Sequence, residues 1–162
     1  MAYEPELWHE LFVMTGGAAA TLAGLIFVAV SLNHEHIIKL PVLPSLAAQT
    51  LSVLIGLVAM CAVGLTPGQS RAVLGGEILA LGVILVSAVL ISLVRSGSAR
   101  QKTSWHLTRV GLGATATVPA VVAGISLLAG SGGGLYWLLL EFITGITVAA
   151  YYAWILLIEI RR

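Results

Sequence analysis

The sequence predicts an all-α fold: a polytopic transmembrane helix bundle of five spans, forming a single domain over residues 1–162. Three observations lead there. Hydrophobic residues make up 59% of the chain and charged residues only 9%, where a soluble domain carries about 25% charged residues. So few polar side chains cannot cover a water-facing surface, so the solvent is lipid. Five stretches reach the length of about 20 mostly apolar residues that crossing a bilayer as a helix requires. Each is a continuous apolar run rather than an alternating one, which excludes barrel strands.

Span one is Leu11 to Leu32, inside the stretch WHELFVMTGGAAATLAGLIFVAVSLN. Glu4, Glu6 and Glu10 precede it, and a cleavable leader would need a basic start and a shorter apolar core. The span stops at the polar cluster Asn33-His34-Glu35-His36. The segment from His34 to Ser45 carries Pro41 and Pro44, so an extended path along the membrane surface is expected, with Ser45 capping the next helix. Span two is Leu46 to Leu65. It holds the lone Cys61, which has no intrachain disulfide partner and reads as a small buried residue. Thr66-Pro67-Gly68-Gln69 is a turn signature and makes a tight hairpin to span three, Ala72 to Val94, whose only charge is Glu77.

The basic segment from Arg95 to Arg109 is a loop expected to touch anionic lipid headgroups. Span four is Val110 to Ala129. Pro119 interrupts it, removing a backbone donor and freeing the carbonyl of Thr115. A kink is expected there, a candidate hinge, with the hydroxyls of Thr115 and Thr117 helping to satisfy it. Gly130-Ser131-Gly132-Gly133-Gly134 then reads as a flexible connection to span five, Leu135 to Ile158, whose only charge is Glu141.

Lysine and arginine set the expected orientation. With the N-terminus outside and the C-terminus inside, Lys39, Arg95, Arg100, Lys102, Arg109, Arg161 and Arg162 face the cytoplasm and only Arg71 faces out. This implies the cytoplasmic membrane of the cell. Trp8, Tyr136 and Trp137 then fall at the outer boundary, and Trp105, Tyr151, Tyr152 and Trp154 toward the inner one, as interfacial aromatic rings do.

Glu77 and Glu141 are the candidate ion or proton site. Both lie six residues below a helix start, roughly 9 Å deep, and therefore at one expected level. Intramembrane ionisable groups are costly unless paired, protonated or hydrated, and they usually face protein or a water-filled cavity. His9, Thr15, Thr66 and Thr144 are the donors near that level. Small residues spaced by four let helices approach closely. Gly16, Ala20 and Gly24 in span one, Ala116, Ala120 and Gly124 in span four, and Gly145, Ala149 and Ala153 in span five form such stripes. They are expected either to pack within the chain or to form an oligomer face.

Other chemistry finds little support. His34 and His36 are two residues apart, on different sides of a helix, and no cysteine or aspartate completes a metal set. None of the four histidines stands beside a serine in a nucleophile elbow, and the chain has no aspartate. The net charge of +1 offers no footprint for nucleic acid. A non-enzymatic protein without cofactor or metal is expected, with the lipid bilayer, a second copy of itself and another membrane protein as its partners.

The run GGAAATLAGLIFVAVSLNHEHI, followed by LPVLPSLAAQT and by TPGQS and LGGEIL with Glu77, resembles a family of small bacterial multi-span membrane proteins. The resemblance covers about the first half of the chain. Some members of that family are labelled modulators of a membrane-bound AAA protease, which implies an accessory or regulatory role. The family's basic PG-R-A turn is replaced here by Pro44-Ser45. Two functions are therefore expected to compete: an accessory or scaffold protein acting through its helix faces, and a small oligomeric channel or proton/cation pathway using Glu77 and Glu141.

Overall fold

The structure is a computed structural model that describes residues 2–39, 42–96 and 103–160. After a 3-10 turn over Pro5–Trp8 come α1 (His9–Leu32), α2 (His34–Ile37), α3 (Leu43–Gly64), α4 (Arg71–Ser96), α5 (Thr103–Thr115), α6 (Val118–Ala129) and α7 (Tyr136–Ile160). Five helical segments are long and apolar enough to cross a membrane: Pro5–Leu32, Leu43–Gly64, Arg71–Val94, Leu107–Ala129 and Tyr136–Ile158. The fold is thus all-helical and built from membrane spans, the fourth made of α5 and α6 end to end. Pro41, Arg100, Lys102, Arg161 and Arg162 lie outside the described residues, as do the side chains of His36, Arg95, Trp105, His106 and Glu159.

Span two, not span one, is the centre of the bundle. Helix α3 packs against α1, α4 and α7, while α4 packs against α6 and α6 against α7. Burial follows: Leu46, Leu54, Leu57 and Met60 of α3 are fully enclosed. Helix α1 gives α3 one flank, burying Phe12, Thr15, Ala19 and Ile26, and leaves the rest outward. Helix α1 also meets α7, with Phe12 edge to face against Phe142 at 6.0 Å.

Two connections differ from expectation. The segment after span one is not extended: it coils into α2, and α3 already begins at Leu43. Pro44 permits this because a first-turn helical residue needs no N–H. Ser45 is inside the helix rather than capping it, and its hydroxyl donates to the Val42 carbonyl at 2.8 Å.

The glycine-rich connection between α6 and α7 is pinned. Gly130, Gly132, Gly133 and Gly134 all take positive φ, a region that costs L residues with a Cβ about 1–2 kcal/mol. That path lets Ser126 Oγ donate to the Ser131 carbonyl and accept from Gly134 N at 2.8 Å. The N-terminal segment then closes over it: Leu135 N donates to the Ala2 carbonyl at 2.8 Å, and Gly133 N donates to the Tyr3 hydroxyl at 3.2 Å. Arg71 stacks over the Tyr3 ring at 5.7 Å, and Trp8 meets Tyr136 edge to face at 5.0 Å. The first residues, the 65–70 turn and the 130–135 loop thus form one tied end of the bundle.

Candidate functional site

Span four is broken, and the break organises the buried polar groups of this half of the bundle. Pro119 lies in the first turn of α6, where its missing N–H is harmless, and α5 ends at Thr115. A continuous helix would have needed a donor at position 119 for the Thr115 carbonyl. The Thr144 hydroxyl of α7 stands in for that donor, 2.8 Å from the Thr115 carbonyl and 2.8 Å from the Leu140 carbonyl of its own helix, with one proton to share between them. The hydroxyls expected to do this work are occupied elsewhere: Thr115 Oγ1 bonds the Leu112 carbonyl and Thr117 Oγ1 the Gly113 carbonyl, each at 2.9 Å.

The start of α6 has its own requirement. Its first N–H groups have no partner within the helix, and Thr117, at the cap position, makes no side-chain cap. Glu141, one turn before Thr144 on α7, replaces it. Its Oε2 accepts from Ala120 N at 3.1 Å. This is the bond an N-cap side chain ordinarily makes to the third residue of its helix, provided here from another span. The carboxylate also sits where the helix dipole favours negative charge. Glu141 is fully enclosed, at 0% exposure, and its Oε1 has no hydrogen-bond partner.

Glu77 is placed differently. It is half-buried, and its Oε2 accepts a hydrogen bond from the side chain of Gln69 in the 65–70 turn. It reaches back toward the tied end of the bundle. The α4–α6 register puts Gly82 opposite Ala120 and Val121, so the capped N–H lies about 7 Å further along α4 than Glu77. The two carboxylates are therefore not at one level. Of the four donors expected near them, Thr144 is adjacent to Glu141 but bonds backbone carbonyls, and Thr66 bonds the Ala62 carbonyl at 3.3 Å.

A second buried polar site lies toward the opposite end. Arg109, expected in the basic loop, is inside the bundle at 1% exposure. Its Nη2 donates to Gln49 Oε1 at 2.8 Å, its Nη1 approaches Ser45 Oγ at 3.5 Å, and the Tyr152 hydroxyl lies beside Arg109 and Gln49. Ser92 of α4 adds a bond to the Ser45 carbonyl at 2.9 Å. Tyr152 is accordingly not an interfacial ring but a buried one, whereas Tyr151 and Trp154 face outward. Gly113, one turn beyond Arg109, makes room for the Gln49 amide: a Cβ there would lie 3.2 Å from its nitrogen. Gln49 is the only glutamine in any span, and that was the available signal for this site.

The small-residue stripes separate. In span four, Ala116, Ala120 and Gly124 are all buried, and Gly124 touches the backbone of Leu79 so closely that a Cβ would sit 2.7 Å from its nitrogen. In span five, Gly145 packs against Leu57 and Val53, Ala149 is buried, and Ala153 is half-buried. In span one only Gly16 packs, against Cys61, while Ala20 and Gly24 are exposed. His34 and Glu35 are exposed on α2. No protein-family model, curated protein or solved structure matches this chain.

Proposed function

We propose that this protein is a non-enzymatic accessory or scaffold protein of the cytoplasmic membrane, N-terminus outside, that works by docking its helix faces on other membrane helices, including those of a second copy. The observation that carries this reading is the free face of α1. On the side opposite Phe12, Thr15, Ala19 and Ile26, this helix presents Gly17, Ala20, Thr21 and Gly24, all exposed, with open space beside both glycines. Only 22% of its apolar stretch is buried, the smallest share of the five spans. In lipid there is no hydrophobic gain from association, so a face built of small residues is what lets a second helix approach and gain dispersion contacts. An apolar groove between α1 and α7, lined by Leu22, Ile26, Ala153 and Leu156, lies on the other flank of the helix. The resemblance to a family with accessory members agrees with this reading.

The test is recovery from membranes. Purification in mild detergent is expected to give a stoichiometric complex, either with itself or with one membrane partner, that is lost when Ala20 and Gly24 are both replaced by leucine. A monomer recovered alone from the unaltered protein contradicts the reading.

A second reading, a small proton or cation pathway, is favoured by Glu141, a carboxylate held at depth with one oxygen unpartnered. It predicts flux into liposomes above that of empty ones, reduced by Glu141→Gln. Flux equal to the blank removes it.

A further inference from the structure

We propose that the break in span four is a proton-binding site, with Glu141 Oε1 taking and releasing the proton. It takes from the second reading above only the identity of the group, and does not require transport.

The case begins with what the two carboxylate oxygens meet. Oε2 accepts the Ala120 N–H at the start of α6. Oε1 is enclosed and meets no donor. An ionised carboxylate so placed has one oxygen stabilised by a backbone N–H and the helix dipole, and one that is desolvated without compensation. Placing the proton on Oε1 removes that uncompensated charge while leaving Oε2 free to accept the same N–H. Each protonation state therefore keeps one stabilising contribution that the other lacks. That is the condition for a group to change state reversibly rather than be locked in one.

Among the described residues the surroundings supply no competing counter-charge. Helix α6 contributes no titratable side chain, and α3 contributes only Cys61, whose Cβ lies against Gly16 of α1. From α1 the titratable groups are His9 and Glu10, both exposed at the helix start. On α5 the charged group is Arg109. On α7 itself Tyr152 follows Glu141 by about three turns, on the order of 16 Å, and Tyr136 lies at the exposed start of the helix. Arg109 and Tyr152 belong to the Gln49 cluster at the other end. Between the two sites Gly145 is closed by Leu57 and Val53.

The backbone at the break is built to respond. In an unbroken helix Ala120 N would bond the carbonyl of Ala116, and here it reaches Glu141 instead. Thr144 offers its hydroxyl to the Thr115 carbonyl, since Pro119 can never bond it. The Ala120 N–H therefore bonds Glu141 in both states, and the bond strengthens when the carboxyl ionises.

Infrared difference spectroscopy of the full-length protein in lipid, titrated with pH, reads the carboxyl stretch directly. The expected result is a protonated-carboxyl band, at the frequency of a weakly hydrogen-bonded group, that disappears reversibly as pH rises. The band is lost in Glu141→Gln and kept in Glu77→Gln. Should Glu141→Gln fail to assemble, Glu141→Asp retains a carboxyl at a new distance from Ala120 and must move the band. A titrating band in a protein without flux supports the site and dismisses the pathway. A band that does not titrate, that persists in Glu141→Gln, or that is unmoved in Glu141→Asp overturns the proposal.

Discussion

Spans one and four carry the same signature, small residues at four-residue spacing, and use it in opposite ways. In α6 the stripe is a closed joint. Gly124 lies against the backbone of Leu79, and Gly75 and Gly82 of α4 meet α6 in the same manner at Leu127 and Val121. In α1 the stripe opens outward, and a Cβ built at Gly17 or Gly24 would touch nothing. The periodicity of small residues says that they share a face. Which neighbour occupies that face is decided by the rest of the bundle. In this chain α3 takes the opposite flank of α1, closes on Gly16 and leaves Gly17 and Gly24 free.

The contrast can be broken most severely at Gly124. Replacing it with alanine forces α4 and α6 apart, because the obstructing atoms are Leu79 backbone and not a flexible side-chain end. A loss of about 3 kcal/mol is expected, the upper range for overpacking, read as reduced stability of the folded protein in lipid. The same change at Gly24 is expected to leave stability unaltered. Equal effects at the two glycines would show that the faces are not different.

Next in size is Arg109→Gln. The glutamine is too short to reach Gln49 and Ser45 together, leaving the buried Gln49 carbonyl oxygen without its donor. About 2 kcal/mol is the expected cost, within the usual penalty for an orphaned buried polar group. Arg109→Lys keeps the charge but not the fork, and should recover only part of that loss. Unfolding in lipid as a function of denaturant reads both.

Thr144→Val tests the break itself. It removes the donor to the Thr115 carbonyl while keeping the shape of the side chain, and interhelical hydrogen bonds in membranes contribute roughly 0.6–1.7 kcal/mol. A destabilisation of about 1 kcal/mol is expected, with faster amide exchange confined to the stretch around Thr115–Ala120. Unchanged exchange there would mean that Pro119 is accommodated without α7.

These effects bear on what the sequence alone made legible. The five spans were legible because apolar length is a property of single segments, and Pro119 because its missing donor is a local fact. Glu141 stood out as the only charge in its run. Its role did not, since the donor it caps belongs to a helix start that exists only because the fourth span breaks. Arg109 was hidden for the opposite reason. It sits at the edge of an apolar run, where a basic residue reads as loop, and only the approach of Gln49 and Tyr152 from other helices draws it inside. The central place of α3 was equally invisible, because helix contacts in lipid depend on fit between surfaces and leave little mark on one segment's composition. The glycine-rich 130–134 loop looked flexible by composition, yet Ser126 and Tyr3 hold Gly134 and Gly133, and the Ala2 carbonyl holds Leu135 just beyond them.

The most direct measurement is the mass of the protein in native-lipid discs, compared between the unaltered chain and the Ala20→Leu, Gly24→Leu double variant. If the open face of α1 is where this protein meets another helix, the unaltered chain carries a second copy or one partner. The double variant then loses it without losing thermal stability. Identical masses for the two proteins would contradict that role for α1.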